Sequence, residues 1–259
     1  MKIVVCCPSY KRPKVETLDY LPYVRVYVDC KEHEDYKKAN PDWADIVSCP
    51  EGVQGNLCRV RNYILKTEFD NGADVVLIVD DDLKFIGYWQ NRQTIIIDHK
   101  SLVPILEKYS IMCKEFGFYF WGVNVNTDKQ CYREMRPFAT VSYIGGPFQC
   151  FLKPDKPSDM CWYDERLPLK EDYDMTLQHC NKHRGCLRIS KMFYSAKQSK
   201  QAGGCATYRN IIREKEQFEL LQKKWGNSIV QQDRQTSFTK KKKAYKDYNP
   251  RIRIPIKGV

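Results

Sequence analysis

Three consecutive carboxylates, Asp80, Asp81 and Asp82, end the strongest apolar run of the chain, residues 74–79 with the sequence VVLIV at its centre. Like charges crowded at one point raise one another's pKa and resist burial. A divalent cation removes that cost: hard oxygen donors suit Mg²⁺ or Mn²⁺, and an ion held by one or two carboxylates keeps positions open for diphosphate oxygens. The alternative is an acidic turn that caps the next element. A second acidic group, Glu171 and Asp172 with Asp174 beyond, follows the proline-bearing stretch 166–170. At a helix start these residues either cap free N–H groups and meet the dipole, or supply an ionised general base for an acceptor hydroxyl. Arg59, Arg61 and Asn62 follow Gly52 and Gly55 on a glycine-bearing loop that opens a helix, where guanidinium heads and backbone amides suit a phosphate.

Such groups need a frame that brings them together, and the pattern of the chain supplies one. Apolar runs at 3–7, 25–28, 46–47, 74–79, 118–125, 139–144 and 187–194 predict strands. Helical spacing predicts helices over 56–67, 101–116, 171–183 and 208–225, with Ser101 as an N-cap and Gly185 and Gly226 as stops. The paired glycines 145 and 146 predict a bend, and residues 197–207 a mobile loop. Strands alternating with helices over the first half indicate an α/β fold with a mostly parallel central sheet. In such sheets ligands sit beyond the carboxyl ends of the strands, which is where the triple aspartate falls. No internal repeat or linker stands out, so residues 1–239 read as one domain and 240–259 as a basic tail.

At 259 residues with 42% hydrophobic content the chain can build a core. A mean hydropathy of −0.59, with no apolar run near the roughly 18 residues of a membrane span, excludes a transmembrane, collagen-like or coiled-coil reading. The first seven residues are too short for a signal core and read as a strand. Twelve scattered cysteines without a CxxC pair indicate a reducing cytoplasm. His179, Cys180, His183 and Cys186 mix ligand types on one helix end, whereas structural zinc draws paired ligands from two segments, so they are not taken as a zinc site. The net charge of +11 is unevenly spread: residues 182–215 carry 9 basic residues and 1 acidic, and residues 240–259 carry 8 and 1. Residues 1–181 carry 23 basic against 27 acidic. An acidic body joined to a cationic end suits a metal ion at one and a polyanion at the other; a solvated tail is the plainer reading of Lys240–Lys243.

Taken in order, PSYKRP (Pro8–Pro13), Asp29 after the second strand, GNLCRVRN (Gly55–Asn62), VDDD (Val79–Asp82), GGPF (Gly145–Phe148) and YDERLPLKEDYDM (Tyr163–Met175) resemble the GT-A type of nucleotide-sugar glycosyltransferase. The resemblance implies a Rossmann-like, single-domain, metal-dependent enzyme using Mn²⁺ or Mg²⁺ and a nucleotide-sugar donor such as a UDP-sugar. It implies Pro8, Tyr10, Arg12 and Asp29 at the nucleoside, with Asp81 beside the ribose and Arg59 and Asn62 on the donor. It implies Asp80 and Asp82 on the metal, and Asp172 as base with Glu171 the other candidate. One departure is the lack of a late histidine for the metal: the loop after Tyr194 offers Ser195, Gln198 and Ser199 instead.

GGPFQCFL, LKEDYDMTLQ and AGGCATYRN are similar, more narrowly, to the phage TET-associated glycosyltransferases, which implies hydroxymethylated pyrimidines such as 5-hydroxymethylcytosine in DNA as acceptor and the host cytoplasm as location. The basic segments fit phosphate neutralisation, and Trp162, Tyr163 and Tyr208 are candidates to stack on an extruded base. Two other readings remain: a GT-A enzyme acting on protein, lipid or polysaccharide, and a non-catalytic DNA-binding module.

Overall fold

Alternation within single strands sets the layers of this protein. In β1 (Ile3–Pro8), Val5 and Cys7 join one apolar cluster while Cys6 joins another, as a period of two requires. The chain continues through α1 (Thr17–Tyr20), β2 (Arg25–Asp29), α2 (His33–Ala39), β3 (Asp45–Cys49), α3 (Leu57–Asp70) and β4 (Val75–Val79). Next come the hairpin β5 (Leu83–Gln90) and β6 (Gln93–Ile96), then α4 (His99–Glu115), β7 (Phe120–Asn124), β8 (Phe138–Ala139) and β9 (Phe148–Leu152). The last elements are α5 (Glu171–His183), β10 (Leu187–Ala196), α6 (Ile211–Trp225), β11 (Val230–Gln232) and β12 (Pro250–Ile252). The structure, a computed structural model, describes residues 1–91, 93–197, 203–232 and 248–254.

The ten-stranded sheet has the order β3-β2-β1-β4-β9-β7-β10-β5-β6, with β8 against β10. Strands β3, β2, β1 and β4 pair in parallel, and only β5, β8 and β9 run against the common direction, so the sheet is mixed but mostly parallel. β4 is buried at every position, which fits its place between β1 and β9 with both faces covered. One face packs against α1 and α4 through Leu18, Leu102, Leu106 and Cys113. The other packs against α3 and α5 through Cys58, Ile64, Leu65 and Met175. A third cluster joins α6 to Leu167, Leu177 and Val230.

Several local expectations are corrected. Instead of a strand over 139–144, only Phe138–Ala139 pair, and the chain then leaves the sheet because its backbone bonds to other elements. Thr140 O accepts from Cys186 N at 3.0 Å, and Ile144 N donates to Thr176 Oγ1 at 3.2 Å. The hairpin β5–β6, anticipated by no apolar run above, turns at Asn91 with φ 50°, a conformation asparagine tolerates. Of the segment read as a tail, Pro250–Ile252 pair with β11, while Lys240–Lys243 lie outside the described residues. The eleven cysteines whose side chains are described are all free. No helix among the described residues is long and apolar enough to cross a membrane.

Candidate active site

β1 and β4 end side by side, and their C-terminal ends open into a cavity of about 570 Å³. Asp80, Asp81 and Asp82 line it from the end of β4, Pro8 from the end of β1, Tyr10 and Arg12 from the loop that follows, and Glu171 and Asp172 from the start of α5. The tertiary structure thus brings both acidic groups of the sequence to one chamber.

The three aspartates have three different settings. Asp81 accepts from Ser9 Oγ at 2.6 Å and pairs with Arg12. It is 7% exposed, and burial pushes its carboxyl up to about 6 against the pull of Arg12 and Ser9. Asp80 Oδ1 accepts from Arg61 Nη2 at 3.1 Å, and burial, opposed by Arg61, raises its pKa. Asp82 is raised by burial and then by Asp80, and no lysine or arginine among the described residues pairs with it. Thr17 fixes the corner: its Oγ1 donates to Asp80 O at 2.6 Å and accepts from Leu83 N at 3.0 Å. The acidic run is therefore a tied turn into β5 as well as a carboxylate cluster.

Arg61 is the internal counter-charge. It is 1% exposed, and its guanidinium reaches Gln149 Oε1 at 2.9 Å, Glu171 Oε1 at 3.3 Å, Gly146 O at 3.1 Å and Asp80. It bridges the two acidic groups from inside the protein instead of reaching out to a phosphate. Glu171 is driven towards its protonated form by burial and by Asp172, with Arg61 opposing. Asp172 Oδ2 accepts from Tyr143 OH and from Gly146 N at 3.3 Å, and Oδ1 from Tyr173 N at 2.8 Å. Tyr143 stacks on Tyr173 at 4.4 Å, which holds the phenol over Asp172. These contacts explain the irregular stretch 140–147: leaving the sheet lets it deliver Tyr143 and Gly146 to the carboxylate.

Three expected site residues lie outside the cavity lining. Asp29 Oδ1 accepts from Lys31 N at 2.9 Å in the turn after β2. Arg59 ties two loops together, with Nε 3.0 Å from Glu165 Oε2 and Nη1 2.5 Å from Gly52 O. Asn62 is spent on the Tyr163 backbone, donating to its O at 2.9 Å and accepting from its N at 2.8 Å. Tyr163 is core, 3% exposed with its hydroxyl on Gln149, whereas Tyr208 lines the cavity and Trp162 is 42% exposed. Ser195 lies at the end of β10, and Gln198 and Ser199 fall outside the described residues.

The segment 203–209 forms a wall that the motif reading did not assign. Gly204 N donates to Tyr10 O at 2.8 Å. A Cβ on Gly203, whose φ is +95°, would stand 2.6 Å from Lys11 O. Only glycine accepts both that dihedral and that approach, so the paired glycines in AGGCATYRN were the available signal. Cys205, Tyr208 and Arg209 face the cavity beside them.

The donor set fits a hard divalent cation. Asp82 forms no ion pair among the described residues and feels Arg12 only at a distance, Asp80 has one oxygen on Arg61, and both carboxyls are raised as expected of charges lacking full compensation.

No family model matches this chain, and no curated protein matches it. Among solved structures it is similar to S. aureus TarS residues 1–349 in complex with UDP-GlcNAc, at TM-score 0.57 and 14% identity, covering 86% of this chain and 65% of that one. The chain thus spans slightly under two thirds of that TarS fragment. It is also similar to the glucosyl-3-phosphoglycerate synthase of Mycobacterium tuberculosis in complex with Mg²⁺ and UDP, at TM-score 0.52 and 11% identity, covering 89% and 82%. At these identities the likeness is one of architecture, and the protein has the fold of the GT-A nucleotide-sugar glycosyltransferases.

Proposed function

We propose that the cavity binds a nucleoside diphosphate sugar and transfers the sugar to an acceptor hydroxyl. The observation that carries this reading is the convergence of Asp80 and Asp82 with Asp172 on one cavity, with a nearly enclosed arginine between the two acidic groups. Support for a UDP-sugar donor comes from the fold: TarS was crystallised with UDP-GlcNAc, and the mycobacterial synthase with UDP and Mg²⁺.

In the reaction the bond between sugar C1 and the diphosphate oxygen breaks, its electron pair leaves with the nucleoside diphosphate, and the acceptor oxygen bonds to C1. A Mg²⁺ or Mn²⁺ ion held by Asp82 and the open oxygen of Asp80 would supply charge neutralisation for the leaving diphosphate. Asp172 takes the acceptor proton. Glu171 is the poorer base because burial favours its protonated form, and a base must be ionised to act. Tyr143 and the Gly146 N–H orient Asp172 through its Oδ2. Arg12 and Ser9 hold Asp81 against the loop after β1, where Pro8 and Tyr10 form the nucleoside side.

The acceptor we propose is the hydroxymethyl group of a modified pyrimidine in DNA. Its support is the charge of residues 182–215 and the placement of Tyr208 in the cavity wall, where an extruded base can stack. Part of that charge is already engaged: Lys182 on the Ser158 carbonyl, Lys197 on Glu16, Arg209 on Glu214 and Lys215 on Glu219. The test is incubation with radiolabelled UDP-sugars and, separately, hydroxymethylated DNA, unmodified DNA and polysaccharide. Label on hydroxymethylated DNA alone supports the reading, and label on polysaccharide alone replaces the acceptor. Asp82→Asn should abolish transfer and donor hydrolysis while the fold persists; full activity of that variant in chelator overturns the donor site.

A further inference from the structure

A second group of ligating side chains lies at the other end of α5. We propose that Cys161, His179 and His183 form a structural site for Zn²⁺, with water in the fourth position. One ligand atom from each of the three lies within 4.8 Å of the others, and Cys161 Sγ is 3.9 Å from His183 Nε2. Tetrahedral zinc, with a Zn–S bond of ~2.3 Å and Zn–N bonds of ~2.0–2.1 Å, sets S and N about 3.6 Å apart and the two N atoms about 3.3 Å apart, so the Cys161–His183 pair contracts slightly and the separations of up to 4.8 Å within the set close by side-chain rotation. The two histidines stand at i and i+4 on one helix face, and Cys161 arrives from the loop after β9. That second segment is what the sequence reading of His179, Cys180, His183 and Cys186 lacked. Cys180 and Cys186 face each other instead, with Sγ atoms 3.9 Å apart and Cys186 donating to Ser142 O.

An independent observation points to a ligand. His179 is 2% exposed, yet neither of its ring nitrogens has a hydrogen-bond partner among the described residues. Buried polar atoms in native proteins are nearly always satisfied, and an orphaned one calls for an ion or a water. The rival is a purely apolar ring, since His179 stacks on Phe120 at 4.7 Å. Burial holds both imidazoles towards the neutral form that ligates metal. The Cys161 thiol, pushed up to about 11 by burial, must release its proton as the cation binds. His183 Nε2, now 2.9 Å from the Asp159 carbonyl, exchanges that contact for the metal.

The site is structural because of where it stands. Glu171 and His183 are the first and last of the 13 residues of α5, about 18 Å apart along the helix axis. A cation there fastens the loop carrying Cys161 and Tyr163 to the last turn of the helix whose first turn carries Asp172. Soft thiolate and imidazole ligands also separate it from the all-oxygen Asp80–Asp82 group, which suits Mg²⁺ or Mn²⁺.

The test uses the full chain, stripped with chelator and titrated with Co²⁺ as a spectroscopic substitute for zinc. Expected are a thiolate-to-Co²⁺ charge-transfer band and tetrahedral visible bands saturating at one equivalent, displacement by Zn²⁺, and a raised melting temperature. The bands should persist in the Asp80→Asn/Asp82→Asn double variant, which separates this site from the proposed donor site. Cys161→Ser should lose the charge-transfer band, and His183→Gln should weaken binding at least tenfold, with unchanged far-UV dichroism in chelator as the folding control. Absence of the thiolate band in the unaltered chain, or its survival in Cys161→Ser, overturns the proposal.

Discussion

Replacing Arg61 with methionine tests whether one buried cation holds the two halves of the site together. The substitution keeps much of the side-chain volume but removes the partner of Asp80 and Glu171 and the donors to Gln149 and Gly146 O. Removing one member of a buried ion pair typically costs about 3–5 kcal/mol. For a domain of this size each kcal/mol shifts the melting temperature by roughly 2–4 °C, so the loss should be about 6–20 °C near pH 8. The pH dependence has a defined sign. Asp80 and Glu171 have folded-state pKa values above their unfolded ones. At these two groups the folded state therefore holds more protons than the unfolded chain above pH 4, and their contribution to stability falls as pH rises through that window. Without Arg61 both values rise further, so the deficit should shrink at pH 5 and widen at pH 8. Scanning calorimetry of both proteins at the two pH values measures this directly. A melting temperature within about 2 °C of the parent at pH 8, or a deficit that grows on acidification, refutes the reasoning. Arg61→Lys should recover only part of the loss, because an ammonium cannot reproduce the planar fork.

Other outcomes follow from the same geometry. Asp172→Asn should lower kcat by about 10²–10⁴-fold while donor KM holds steady; an unchanged kcat in steady-state assays moves the base role elsewhere. Tyr143→Phe removes a positioning hydrogen bond worth about 1–3 kcal/mol, so its kcat loss should be smaller than that of Asp172→Asn and its pH–rate profile displaced; a larger loss contradicts the assignment. Mn²⁺ should raise the melting temperature more at pH 8 than at pH 5, because Asp82 and Asp80 must be ionised to bind it and burial raises both; a larger shift at pH 5 counts against the metal site. Gly203→Ala places a Cβ against Lys11 O at a φ of +95°, a local cost of about 1–3 kcal/mol. It should raise donor KM and lower the melting temperature by about 2–12 °C, and an unaltered KM argues that the 203–209 wall has no part in donor binding.

The sequence carries β1, β4 and α5 plainly, since burial on both faces or on one stripe leaves a periodic record. It does not carry β9 or the short β8. Residues 139–144 look like a strand because they are β-prone and apolar, but the backbone of Thr140 and Ile144 bonds to Cys186 and to Thr176 of α5, more than thirty positions away in sequence. Asn62 and Arg59 look like phosphate ligands for a similar reason. Their types suit the chemistry, while their partners, the Tyr163 backbone and Glu165, are visible only once the loop before α5 is folded back onto α3.

The amino-acid order by itself determined that carboxylates would end β4 and open α5, because strand and helix periodicity are local properties. Only the tertiary structure decided that both would face one cavity, that Arg61 would be sealed between them, and that Cys161 would meet His179 and His183. Charge compensation and ligand sets are set by distance in space, and a one-dimensional pattern records distance only along the chain.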